Sequence, residues 1–264
     1  MVTIPRRAIT TFFILLFCAM TYTLYIANKR YSSWSMRPWV LLKALGIPFE
    51  EKLNIFQQHG YRQPQFDVFS PTGKVPCLFD SRSDSSKPLV IWESLAIVEY
   101  LADQHEGVWP SREKTAARAF ARCAAAEMHS GFTAIRDECG MNVGYRIDLC
   151  GPPSQAVQKD LDRINTLFKQ GLETFGGPWI AGDKFTAADA FFAPVACRFK
   201  TYGLQLEDKA AQEYVERLFQ HPAVQEWVEA GIRETAREPV HEQEVLEGRR
   251  VIEDLSAKVA GATN

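Results

Sequence analysis

The chain has six cysteines in 264 residues, Cys18, Cys77, Cys123, Cys139, Cys150 and Cys197, and no two stand at C-x-x-C spacing. Neither a zinc knuckle nor a dithiol redox motif is therefore written in it. A reducing compartment is the simpler expectation, with a bridge between Cys139 and Cys150 as the alternative. A phosphate-cradling G-x-x-x-x-G-K-[ST] loop is also lacking, since Gly73 and Lys74 run into Val75, and this argues against nucleotide binding. The histidines, His59, His105, His129, His221 and His241, show no metal spacing, and His241-Glu242 lacks the second histidine of H-E-x-x-H. No metal is expected. There is no G-x-S-x-G elbow, so an α/β-hydrolase serine has no place to stand. Charges nearly cancel, at 30 basic against 32 acidic residues, and no basic stripe marks a nucleic-acid surface. Internal repeats are absent too.

What is present is the composition of an ordinary globular protein, 46% hydrophobic and 23% charged. The length suffices for one large domain or two small ones. The amino-terminal end departs from this. Arg6 and Arg7 precede an apolar run over residues 8–20, which has the charge and length of a signal-peptide core or of the start of a membrane anchor. Its cleavage signal is poor, because Phe17 stands two residues before Ala19. Residues 21–26 then alternate as a first strand should. The same residues cannot be both core strand and membrane helix. Residues 1–20 are read as a hydrophobic extension of non-native or alternative origin on a cytoplasmic protein. The rival is membrane association through residues 8–20, in a membrane-anchored or secretory-pathway protein.

The strongest local signal lies between Ser70 and Asp103. Pro76 cannot donate to a sheet ladder, so it suits the first position of a strand over residues 77–79, and it is a candidate for one of the rare functional cis peptides. Past a polar loop at residues 80–87, expected to be solvated and mobile, Leu89, Val90, Ile91 and Trp92 form a short apolar strand. Ser94 reads as the N-cap of a helix carrying Leu95, Val98 and Leu101. A helix start favours a carboxylate, and a strand edge beside it receives a peptide. Together they describe a peptide-carboxylate site. Upstream, Pro38 fits the first turn of a helix that Gly46 and Pro48 end, and residues 49–55 make a second strand. The order is βαβ-ββα, the thioredoxin-like plan. After a linker at residues 106–112 every strong pattern is helical. The sharpest carries Phe185, Ala188, Phe192, Val195 and Phe199 on one face, with Thr186 and Asp189 forming a capping box that has Asp in place of Glu. From Arg237 onward the tail is charged and reads as a peripheral or frayed helix.

These motifs resemble the glutathione S-transferase superfamily over about residues 20 to 235, in the serine-type, zeta-like or bacterial and fungal forms. The resemblance implies a thioredoxin-like α/β glutathione-binding domain at residues 21–105, an all-α helical domain at 113–236 and a charged tail at 237–264. It implies that the backbone of Val75, before cis Pro76, pairs with the cysteinyl unit of glutathione, while Glu93 and Ser94 hold the γ-glutamyl end. Lys74, with Gln58 or His59, is a positional assignment for the glycyl carboxylate. The Gly-Asp-x-Phe-Thr-x-Ala-Asp pattern resembles the folding motif of the family's helical domain.

In the turn Tyr31-Ser32-Ser33-Trp34-Ser35-Met36-Arg37, a serine hydroxyl donating to a thiolate at a helix start would favour the charged form. Aligned on Arg37, the family's catalytic serine falls on Ser33, with Ser32 and Ser35 as competitors. The cysteine of the zeta class has no counterpart, since Trp34 or Ser32 takes its place. Arg37 reads as a surface ion-pair residue, with electrostatic assistance as the alternative. Met128, Phe132, Arg136 and Tyr202 are assigned to a pocket for a small-molecule electrophile, with core or interdomain packing as the alternative for most of them. The resulting expectation is a homodimeric detoxification enzyme that conjugates glutathione, a co-substrate, to that electrophile. Alternatives are a glutathione-dependent cis-trans isomerase like maleylacetoacetate isomerase and a non-catalytic, transferase-like interaction protein.

Overall fold

The computed structural model describes residues 21–57, 63–82 and 86–257. The expectations for residues 1–20 and for Gln58 and His59 concern residues outside them. Strand β1 (Tyr22–Ile26) alternates as expected, with Tyr22, Leu24 and Ile26 buried. It pairs in parallel with β2 (Phe49–Leu53) and antiparallel with β3 (Cys77–Asp80), whose other edge takes β4 (Leu89–Trp92). The order β2-β1-β3-β4, with α1 (Ser33–Ala44) crossing between β1 and β2 and α2 (Ser94–Gln104) following β4, is the thioredoxin-like arrangement.

The helical half comprises α3 (Thr115–Ser130), α4 (Thr133–Glu138), α5 (Gln155–Phe175), α6 (Ala187–Tyr202), α7 (Lys209–Phe219) and α8 (Pro222–Arg233). Helix α6 is buried at every position but Lys200, because alanines and phenylalanines occupy all sides of it. Its start is fixed by Asp189, whose carboxylate accepts from the Thr186 N–H at 2.8 Å and hydroxyl at 3.1 Å, from the Ile180 N–H and from the Tyr214 hydroxyl. Burial pushes the Asp189 pKa up to about 6. Helices α1, α6 and α8 pack together across the two halves, with the Trp39 and Trp227 rings edge to face at 5.2 Å.

Several local readings are corrected. Helix α1 begins at Ser33, so Pro38 lies in its second turn and removes an internal N–H donor there. Ser94 is the first helical residue of α2; the N-cap is Glu93, at φ +73°. Cys139 is buried, Cys150 is exposed, and both thiols are free. The tail is not peripheral. It forms α9 (Pro239–Leu246) and β6 (Arg250–Asp254), and β6 pairs antiparallel with β5 (Tyr145–Asp148) to add a small sheet to the helical half. Glu238 and Val245 are buried by this docking.

Candidate active site

The serine turn is held from both sides. The carbonyl of Asn28 accepts from the N–H groups of Tyr31 and Ser32, closing the turn on itself. Helix α8 and the residue after it grip the other side. Trp227 Nε1 donates to the Lys29 carbonyl at 2.8 Å, and the Glu234 carboxylate accepts from the N–H groups of Lys29 and Arg30 at 2.7 and 3.1 Å. Gly231 allows that approach, because a Cβ there would lie 2.9 Å from the Lys29 carbonyl carbon and 3.0 Å from the Arg30 nitrogen.

The three hydroxyls of the turn differ in occupation. Ser32, the N-cap of α1, donates to Ser35 Oγ at 2.8 Å, and Ser35 Oγ also accepts from the Ala27 N–H at 3.3 Å. Both side chains are buried in this exchange. Ser33 is half-buried, and its hydroxyl makes no hydrogen bond among the described residues. It lies on a cavity of about 670 Å³. Beside it the Trp34 ring is clamped by two guanidiniums, Arg37 at 4.0 Å and Arg136 at 4.6 Å. Arg37 is not on the surface. It is 1% exposed, has no carboxylate in ion-pair reach among the described residues, and donates weakly to the Met128 carbonyl at 3.5 Å. Burial drives its pKa down, and the neighbouring Arg136 and Arg198 add to this.

The peptide-carboxylate half assembles through strand register. Cys77 faces Trp92, so the cis Val75-Pro76 bond, just before β3, runs beside Glu93 and Ser94 at the start of α2. Glu93 holds a left-handed φ that a non-glycine residue seldom adopts, a conformation that clusters at ligand sites. Its side chain pairs with His129 Nε2 at 2.9 Å. Ser94 Oγ is buried and has no hydrogen-bond partner among the described residues. Lys74 and Val75 reach the same cavity as Ser33.

Of the residues picked out by sequence, Ser32, Ser33, Lys74, Val75 and Arg136 line that cavity, whereas Ser35, Pro76, Glu93 and Ser94 stand behind or beside it. For Met128, Phe132 and Tyr202 the structure shows the packing alternative. Met128 is fully buried, Phe132 packs near Phe192, and the Tyr202 hydroxyl donates to the Gly140 carbonyl at 2.7 Å. Missed were Tyr31, Phe56, Arg198 and His241, which are among the other residues of the wall. A signal existed for the last: Glu238-Pro239 has the N-cap and N1 proline of a helix start, which places His241 in its first turn. A second groove, of about 760 Å³ between residues 102–118 and 181–186, contains none of the sequence's candidates.

The family model described as "Glutathione S-transferase, N-terminal domain" matches residues 31–104, and its C-terminal counterpart matches residues 154–230. The chain is 26% identical to the glutathione S-transferase-like protein gedE of Aspergillus terreus, over 76% of this chain and 85% of that one. It is 28% identical to glutathione S-transferase GstB of Escherichia coli K12, over 71% and 88%. Among solved structures, a glutathione transferase homolog from Burkholderia with bound glutathione superposes with a TM-score of 0.56 at 24% identity, over 80% of this chain and 98% of that one.

Proposed function

The chain belongs to the glutathione S-transferase superfamily, and from that premise we propose that it binds glutathione and conjugates the thiolate to a small electrophile, with Ser33 as the stabilising hydroxyl. One observation carries the choice: of the three serines in the turn, Ser32 gives its hydrogen to Ser35, Ser35 is fully buried away from the cavity, and Ser33 alone presents an uncommitted hydroxyl to it. A free cysteine thiol has a pKa of about 8.5 and is mostly protonated at neutral pH. A hydrogen bond to a charged group contributes roughly 1.5–3 kcal/mol, which lowers that pKa by about one to two units. The N-terminal end of α1 adds positive potential at the same place.

The remaining contacts follow the fold. The backbone of Val75 pairs with the cysteinyl unit. The unpartnered Ser94 Oγ, with the N–H groups at the start of α2, suits the γ-glutamyl carboxylate. Lys74 suits the glycyl carboxylate. The thiolate sulfur then donates its electron pair to an electrophilic carbon, and the displaced group leaves with its own bonding pair. Arg136 and Arg198 line the same cavity. A homodimeric, cytoplasmic detoxification role belongs to the same reading. The test is retention on immobilised glutathione followed by a turnover screen across aryl halides, enones, peroxides and cis-dienoic acids. Turnover of the cis-dienoic acids without conjugation would make the protein an isomerase. Retention without any turnover would make it a binding protein.

A further inference from the structure

The tail, which lies beyond the residues that the family models match, brings a histidine to the cavity in a prepared state. Glu238 is 1% exposed, and its Oε2 is 2.7 Å from both the backbone nitrogen and the Nδ1 of His241. Its other oxygen has no hydrogen-bond partner among the described residues, so the carboxylate is aimed at this one ring. The ring stacks near-parallel with Phe56, at 4.8 Å and 25°, and with Tyr31, at 5.3 Å and 23°. A carboxylate on Nδ1 selects the tautomer that carries its proton there, and the lone pair is then on Nε2. The ring forms part of the wall of the cavity that Ser33 lines.

Resting on the transferase reading above, we propose that His241 is a catalytic residue, the acceptor of the glutathione thiol proton. The S–H bond breaks, its electron pair stays on sulfur, and the proton moves to His241 Nε2. Glu238 is the positioning residue, which fixes the tautomer and stabilises the imidazolium that forms. When the electrophile is an enone, sulfur adds to the β-carbon and the imidazolium returns the proton to the resulting carbanion. When it is an aryl halide, halide departs with the bonding pair and the proton passes to solvent. Ser33 and His241 thus divide the work, one stabilising the thiolate and the other taking its proton.

Other charges surround the ring. From its own segment come Glu238, Glu242, Glu244, Glu247 and Arg237, of which Glu242 pairs with Arg237 and accepts from the Tyr31 hydroxyl. From the opposite walls come Lys74, Arg136, Asp137 and Arg198. Burial and the Glu242 hydrogen bond raise the Tyr31 pKa, so the phenol stays neutral and does not compete for the thiol proton.

The test counts protons. Glutathione is mixed with the full chain at neutral pH, thiolate is followed by its ultraviolet absorbance and released protons by an indicator dye. The wild type is expected to release clearly fewer than one proton per thiolate formed. His241→Gln keeps a donor for Glu238 but loses the base. It is expected to release one proton per thiolate and to lose about 100-fold in kcat/KM. Glu238→Gln, nearly isosteric at the N-cap, is expected to fall between the two. Equal proton counts and equal kcat/KM in wild type and His241→Gln would overturn the assignment. A wild type that forms no thiolate at all would overturn the transferase reading, and this proposal with it.

Discussion

Ser32, Ser33 and Ser35 are chemically alike, and only their partners separate them. Ser33→Ala should leave stability unchanged and glutathione bound, while lowering kcat/KM by about 10- to 100-fold, as loss of a hydrogen bond to a charged group requires; steady-state kinetics beside a thermal melt would show it. Ser35→Ala should do the opposite. It strands the buried Ala27 N–H and the Ser32 hydroxyl, at a cost of roughly 1–3 kcal/mol in denaturant unfolding. The sequence placed these hydroxyls at a helix start and put Ser33 first only through the family resemblance, because the bonding between Ser32 and Ser35 that separates them depends on a helix beginning at Ser33. Arg37 was misplaced for a similar reason. Its burial follows from Trp34 and from Phe191 on a distant helix, at 4.0 and 5.0 Å, and no local pattern records such a stack.

At the scale of elements, the start of α6 and the seat of the serine turn make separate predictions. Asp189 binds its proton more tightly in the folded protein, at a pKa of about 6, than in the unfolded chain, where a carboxyl titrates near 4. Its contribution is therefore fully present below about pH 4 and is lost as pH rises through about 6. Unfolding free energies measured from pH 4 to 7 should show this fall, and Asp189→Asn should flatten it. Gly231→Ala should push α8 off the backbone of Lys29 and Arg30, lowering stability by about 1–3 kcal/mol and weakening glutathione binding together. The capping box and the alternation of β1 were legible because their signals lie within a few residues. Ser94 was set one position late in the helix boundary because a left-handed Glu93 has no sequence mark. The tail was misread because β6 finds its partner, β5, about a hundred residues earlier in the chain.

Across the whole molecule, the serine turn is the point where three parts meet: the sheet that ends in it, α8 that grips it, and the docked tail that covers it. Deleting residues 237–264 should therefore cost at least as much kcat/KM as His241→Gln, and should also lower the melting temperature by exposing the faces that Glu238 and Val245 now bury. Among the described residues no helix is long and apolar enough to cross a membrane. We propose that α1 and Ser33 together ionise a bound thiol. This is tested most directly by ultraviolet titration of glutathione bound to the full chain. Thiolate is expected at a pH about one to two units below the free thiol's midpoint, with most of that shift lost in Ser33→Ala. A bound thiol that titrates at its free value, or a shift untouched by Ser33→Ala, would contradict it.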